Sequence, residues 1–137
     1  KNGVVKKALD GLKKLDPAPL SSKGKLKFID AANYDEHLPL LAECDLVIEA
    51  IAERMDWKND LYAKIAPYLK ADAIIASNTS GIPVSKLQAG NSAPGRVVGM
   101  HWSNPPHVIP MIEVIAERSS LSRATFAARP LSQLRKR

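Results

Sequence analysis

The chain has 137 residues, 45% of them apolar and 25% charged, which suits one globular domain with a core and is too few for two ordinary ones. No apolar run approaches the roughly 18 residues of a membrane span, and residues 1–16 have neither the apolar stretch nor the small-residue cleavage site of a secretory signal. The formal net charge is +6, but residues 117–137 hold six basic residues and one acid, leaving fourteen basic and thirteen acidic in the other 116, a net of +1.

A basic tail can meet phosphate backbones, yet a near-neutral body argues against a nucleic-acid-binding domain. The single cysteine, Cys44, excludes an intramolecular disulfide framework and is compatible with a reducing compartment. It follows an acid and precedes an apolar run, so it reads as a packing residue rather than a nucleophile.

In chain order, Val4, Val5, Ala8, Leu9, Leu12 and Leu15 recur at helical spacing with lysines between them. This predicts an amphipathic helix, stopped by Asp16-Pro17-Ala18-Pro19. Residues 21–24 are a loop, 26–29 (LKFI) a short strand, and 36–42 a short helix weakened by Pro39. Residues 45–50 form a strand with an apolar centre. Asp56 stands where a helix N-cap is expected, with Trp57, Leu61, Ile65 and Tyr68 along one helix face. Residues 73–76 read as a buried strand, 83–88 as a short helix, and 96–100 and 111–115 as two more strands. Short apolar strands alternating with helical segments predict an α/β fold, a mainly parallel sheet with flanking helices. Residues 117–137 lack a periodic apolar pattern beyond 125–128 and are expected to be a disordered tail following a domain at 1–116.

Function in such sheets gathers beyond the carboxyl ends of the strands. That singles out Glu49 and Glu53, the run SNTSG at 77–81, and His101 to Asn104. On composition alone, the two glutamates and Lys58 read as a solvated loop followed by a helix-surface lysine. The run SNTSG serves as well for turns and helix caps as for holding a polar ligand. A lone histidine is ordinarily just a polar residue, but Glu113 changes the reading of His101. A carboxylate inside an apolar strand needs a partner, because a buried charge must be paired. A histidine suits it: the carboxylate fixes one ring N–H and leaves the other nitrogen free to take a proton. Such a pair serves base catalysis on an alcohol, and the same orienting logic operates in hydrolytic triads.

The stretches DLVIEAIAE, Lys58-Asn59, SNTSG and HWSNPPHVIPMIEVI stand in the order and spacing of the NAD-binding domain of the (S)-3-hydroxyacyl-CoA dehydrogenases. The chain resembles that family over about residues 26–116, more weakly through the first helix. The resemblance implies a partial Rossmann-like, doubly wound fold, NAD as cofactor, and oxidation of a 3-hydroxyacyl-CoA thioester to the 3-oxo product in fatty-acid β-oxidation. It implies that His101 is the general base and Glu113 its orienting partner. Ser80 would hydrogen-bond the substrate oxygen beside the nicotinamide, Asn104 would contact the cofactor, and Glu53 and Lys58 would line the cofactor site. No metal is implied. A cytoplasmic location, dimers or multifunctional complexes of the full-length proteins, and the absence of a membrane partner follow from the same resemblance.

Three features depart from the family. The chain has no G-x-G-x-x-G turn for the pyrophosphate. The helical domain that follows the family's cofactor domain is missing. HWSNP replaces the usual HFFNP, so Ser103 stands where apolar packing is expected beside the base. These departures predict that the 137 residues alone have little activity and weaker than micromolar NAD affinity. The alternatives are a non-catalytic remnant or binding subunit, and a Rossmann dehydrogenase for another hydroxy substrate.

Overall fold

The computed structural model describes residues 2–116; the predicted tail at 117–137 lies outside the described residues. Four strands form one sheet in the order β1-β2-β3-β4. They are β1 (Leu46–Glu49), β2 (Ile74–Ser77), β3 (Val97–Trp102) and β4 (Ile112–Ile115). The first three pair in parallel, and β4 pairs antiparallel with β3. Parallel neighbours need crossover connections, and the helices supply them. Following α1 (Gly3–Leu12) near the start of the chain, α2 (Met55–Ile65) joins β1 to β2 and α3 (Val84–Ala89) joins β2 to β3. The α/β reading therefore holds: a mainly parallel, Rossmann-like sheet with flanking helices.

The core sits where α2 and α3 meet the two central strands. Tyr62 and Ile65 of α2, Leu87 of α3, Ile75 of β2 and Val97 of β3 form one buried cluster. Ile75 and Val97 are register partners, so they present neighbouring side chains to the same helices. Gln88 adds a polar tie, its amide donating to the Val97 carbonyl at 3.0 Å.

Several local expectations are corrected. The stretch at 26–29 is no strand; Lys23–Phe28 is a 3-10 helix, with Lys25 N–H donating to Ser22 and Ile29 N–H to Leu26. The segment closes its hydrogen bonds within itself instead of joining the sheet. The helix expected at 36–42 is a 3-10 helix, Leu38–Glu43. Its Pro39 sits in the first turn, where a missing N–H costs nothing. Helix α1 ends at Leu12, before Leu15, and buries none of its residues. Asp56 is not the N-cap of α2. Arg54 holds that position in extended conformation, and Asp56 is the second residue of the helix, in its first turn, paired with the Arg54 guanidinium. The buried face of α2 is only partly the expected one: Ile65 is in the core and Leu61 packs against it, but the other two predicted residues, Trp57 and Tyr68, are exposed. That face is Lys58, Tyr62 and Ile65. A lysine on the buried face is what composition cannot reveal, because only a fixed counter-charge makes its burial tolerable.

Candidate active site

The carboxyl ends of β1, β2 and β3 converge at one edge of the sheet, because the strands run parallel. There β1 ends in Glu49, β2 in Ser77 and β3 in His101-Trp102. Asn78 ties the ends together. Its N–H donates to the Glu49 carbonyl at 2.7 Å, and its Oδ1 accepts from the Trp102 N–H at 3.0 Å.

His101 and Glu113 are brought together by register. They face each other directly across the β3–β4 ladder, and His101 Nδ1 stands 3.4 Å from Glu113 Oε2. That is longer than the common range of roughly 2.7–3.2 Å, so the pair is approximate rather than tight. The prolines of the intervening turn are what reverse the chain and lay β4 along β3. The reason given by the sequence for pairing Glu113 is corrected, however. Its side chain is 61% exposed and all of β4 is open to solvent. As the edge strand, β4 has no described element beyond it, so water solvates the carboxylate.

Beneath this surface lies a buried charged cluster. Glu49 and Lys58 are 3% and 1% exposed. Lys58 Nζ donates to both Glu49 oxygens at 2.8 and 3.0 Å. Tyr62 Oη and Ser77 Oγ donate to Glu49 Oε2 at 3.1 and 2.7 Å, and the Ile51 N–H donates to Oε1 at 2.8 Å. Burial pushes the Glu49 carboxyl up, but the hydrogen bonds from Lys58, Ser77 and Ile51 outweigh it and hold the group below the usual carboxylate range. Tyr62 is pushed above the usual phenol range by burial first and by the Glu49 charge second. The reading of Glu49 as a solvated loop acid and Lys58 as a surface lysine is thus overturned. The available signal was Glu49 closing an apolar strand run, where a solvated acid is not needed.

Glu53 organises the next loop. Its Oε1 accepts from the Thr79 hydroxyl and from the N–H groups of Ser80, Gly81 and Ile82, the last three at 3.1, 2.8 and 3.3 Å. Its Oε2 lies 3.7 Å from Lys58 Nζ. Slight burial raises its pKa, but the Thr79 hydroxyl, the Gly81 N–H, the Lys58 charge and the Ser80 N–H dominate and bring it down to about 2. The run SNTSG is therefore a shaped loop around a carboxylate.

The residues assigned to a dinucleotide divide into two groups. Ser80 and Asn104 are exposed just beyond β2 and β3, and Glu53 is partly exposed beside Ser80. Exposed amide, hydroxyl and carboxylate groups at the carboxyl ends of parallel strands stand where such folds hold a ligand. Lys58 does not join them; it is sealed below, with Glu49 as its close partner and Glu53 as its link upward. No helix among the described residues is long and apolar enough to cross a membrane.

The family model described as the NAD-binding domain of 3-hydroxyacyl-CoA dehydrogenase matches residues 2–134. A Rickettsia felis protein, provisionally described as the trifunctional enzyme of a fatty acid oxidation complex, is 44% identical over 118 residues, 85% of this chain and 16% of its own length. The 5-formyl-3-hydroxy-2-methylpyridine 4-carboxylate 5-dehydrogenase of Mesorhizobium japonicum is 44% identical over 113 residues, 82% of this chain and 35% of its own. The crystal structure of 3-hydroxybutyryl-CoA dehydrogenase from Escherichia coli K12 superposes with a TM-score of 0.69 at 26% identity, over 89% of this chain and 28% of that one. The chain thus spans well under half the length of these relatives. With the match running nearly end to end and the strand-end site in place, the chain belongs to the 3-hydroxyacyl-CoA dehydrogenase family, as a segment of its NAD-binding domain.

Proposed function

We propose that this segment carries the proton-transfer half of an NAD-dependent dehydrogenase acting on (S)-3-hydroxyacyl-CoA thioesters, in the β-oxidation of fatty acids in the cytoplasm. The observation that carries the reading is His101 facing Glu113 in register at the carboxyl edge of the sheet. Glu113 accepts from Nδ1–H and so presents Nε2 unprotonated to the substrate. Nε2 takes the proton of the 3-hydroxyl while the C3 hydrogen leaves with its electron pair and the carbonyl forms. NAD, when bound, supplies the hydride acceptor. Glu113 then steadies the imidazolium. Ser80 donates to the substrate oxygen from the loop that Glu53 holds, and Asn104 orients the cofactor's nicotinamide end. Glu53 and Lys58 support that loop from below.

A second reading concerns the substrate. The Mesorhizobium relative acts, by its name, on a pyridine carboxylate rather than a thioester, and it is as similar as the trifunctional protein. By that name the reacting group is a formyl, so water would first add to give the hydrate; a hydrate O–H proton would then go to His101 Nε2 as the C–H hydride leaves.

The test is NADH formation by the protein that carries this segment. It is offered (S)-3-hydroxybutyryl-CoA, a long-chain (S)-3-hydroxyacyl-CoA, or the pyridine substrate. The thioesters are the expected substrates. His101→Ala should lower kcat by about 10²–10⁴-fold, the usual contribution of a general base, and Glu113→Gln by less. Unchanged kcat in His101→Ala sinks the proposal, and turnover of the pyridine compound alone transfers it to the second reading.

A further inference from the structure

Glu49 has no place in the chemistry just described, yet it is the most fully partnered side chain near the site. Five hydrogen bonds converge on its carboxylate, from Ile51 N–H, Lys58 (two), Tyr62 and Ser77. A buried ion pair is a weak stabiliser, since desolvation offsets most of its attraction, and a well-packed apolar pair commonly serves stability as well. Its presence under the carboxyl ends of the strands therefore calls for a use beyond stability.

The contacts supply one. Lys58 is shared: its Nζ lies against Glu49 and 3.7 Å from Glu53 Oε2. Glu53 in turn gathers Thr79 and the amides of 80–82 around its other oxygen. Glu49 also holds the end of β2 directly, through Ser77. The 77–82 segment is thus fastened at both ends to one buried carboxylate, at Ser77 by a direct bond and at 79–82 by way of Lys58 and Glu53. We infer that Glu49 is a positioning residue for the reaction: through Lys58 and Glu53 it sets the conformation of the 79–82 loop, and so the place of the Ser80 hydroxyl. The part played by Ser80 rests on the function proposed above; the hold on the loop does not.

The experiment measures hydrogen exchange in peptides covering 78–83, in the whole protein that carries this segment, for wild type, Glu49→Gln and Glu53→Gln. Gln keeps the size of Glu49 and two of its acceptor contacts but removes the charge that fixes Lys58. The expected result is faster exchange at 80–82 in both variants, on the order of tenfold, the scale of one lost charge-assisted hydrogen bond. Peptides from β3 and α3 should exchange at wild-type rates. Unchanged exchange at 80–82 in Glu49→Gln overturns the inference, and so does an equal rise across all peptides, which marks a purely structural role. Should Glu49→Gln fail to fold because Lys58 is left buried and unpaired, the double variant Glu49→Gln with Lys58→Met removes both charges. It should fold and still show the loosened loop; a loop as protected as wild type overturns the inference.

Kinetics give the second readout. Glu49→Gln should lower kcat in the wild-type background and have little further effect in Ser80→Ala, because both changes act through one hydroxyl. Losses that multiply show that Glu49 does not act through Ser80 and overturn its positioning role. If the wild-type protein oxidises none of the offered substrates, the functional reading falls, and the exchange data alone decide whether Glu49 holds the loop.

Discussion

Glu53 ties together the chemistry of the loop. Its pKa, about 2 against an ordinary 4.5, means that the folded state binds its proton later than the unfolded chain does. A depressed carboxylate stabilises the fold fully above its unfolded value, and that contribution is lost as pH falls toward the folded value. The loop at 79–82 should therefore loosen between about pH 4.5 and pH 2. Amide exchange at 80–82 followed through that range is the check. In Glu53→Gln the loop should be loose throughout and its exchange should lose that acid step. A wild-type loop equally protected at both ends of the range contradicts the assignment. Glu53 was legible in the sequence as an acid beyond a strand end. That it holds three groups of the SNTSG run and the Ile82 N–H was not, because the two stretches are some 26 residues apart and meet only when β1 and β2 pair.

Among the elements, β3 is held close on both sides. A Cβ on Gly99 would meet Val84 Cγ2 of α3 at 3.0 Å and Ile115 Cβ of β4 at 3.2 Å. Glycine lets α3 and β4 close on the strand at this point, two residues before His101. Gly99→Val should cost about 1–3 kcal/mol, as overpacking does, read as a lower urea midpoint. An unchanged midpoint means that α3 has room to move, and the contact is loose. The sequence showed β1, β2, β3 and β4 as apolar runs, and the structure keeps all four within a residue or two. It failed for 26–29, where an apolar run closes its hydrogen bonds locally as a 3-10 helix instead of joining the sheet. It failed in part for α2, where periodicity suggested the helix but not which face the sheet would claim.

At the scale of the whole molecule, the central cluster of the described residues has five members, and Leu87 is fully buried among them. Leu87→Ala should cost about 2–5 kcal/mol, a large share of the roughly 5–15 kcal/mol that holds a domain together. A thermal melt lowered by many degrees, or lost, is the expected result; a change of a degree or two places the core elsewhere. The net charge of +6 is also a whole-chain property, and its position matters more than its size. The excess lies in residues 117–137, and the other 116 residues carry a net of only +1.

Alternating apolar runs and helical segments by themselves determined the α/β class, the strand positions and the edge of the sheet to inspect. The motif HWSNPPHVIPMIEVI suggested that His101 and Glu113 belong together, through the family resemblance and a burial argument that does not hold; only the β3–β4 register sets them face to face. Tertiary structure alone decided burial. Glu113 looked buried and is solvated because its strand lies at an edge. Glu49 and Lys58 looked solvated and are sealed because α2 turns that face to the sheet. Burial depends on what packs against a residue from distant parts of the chain, and no local pattern encodes that.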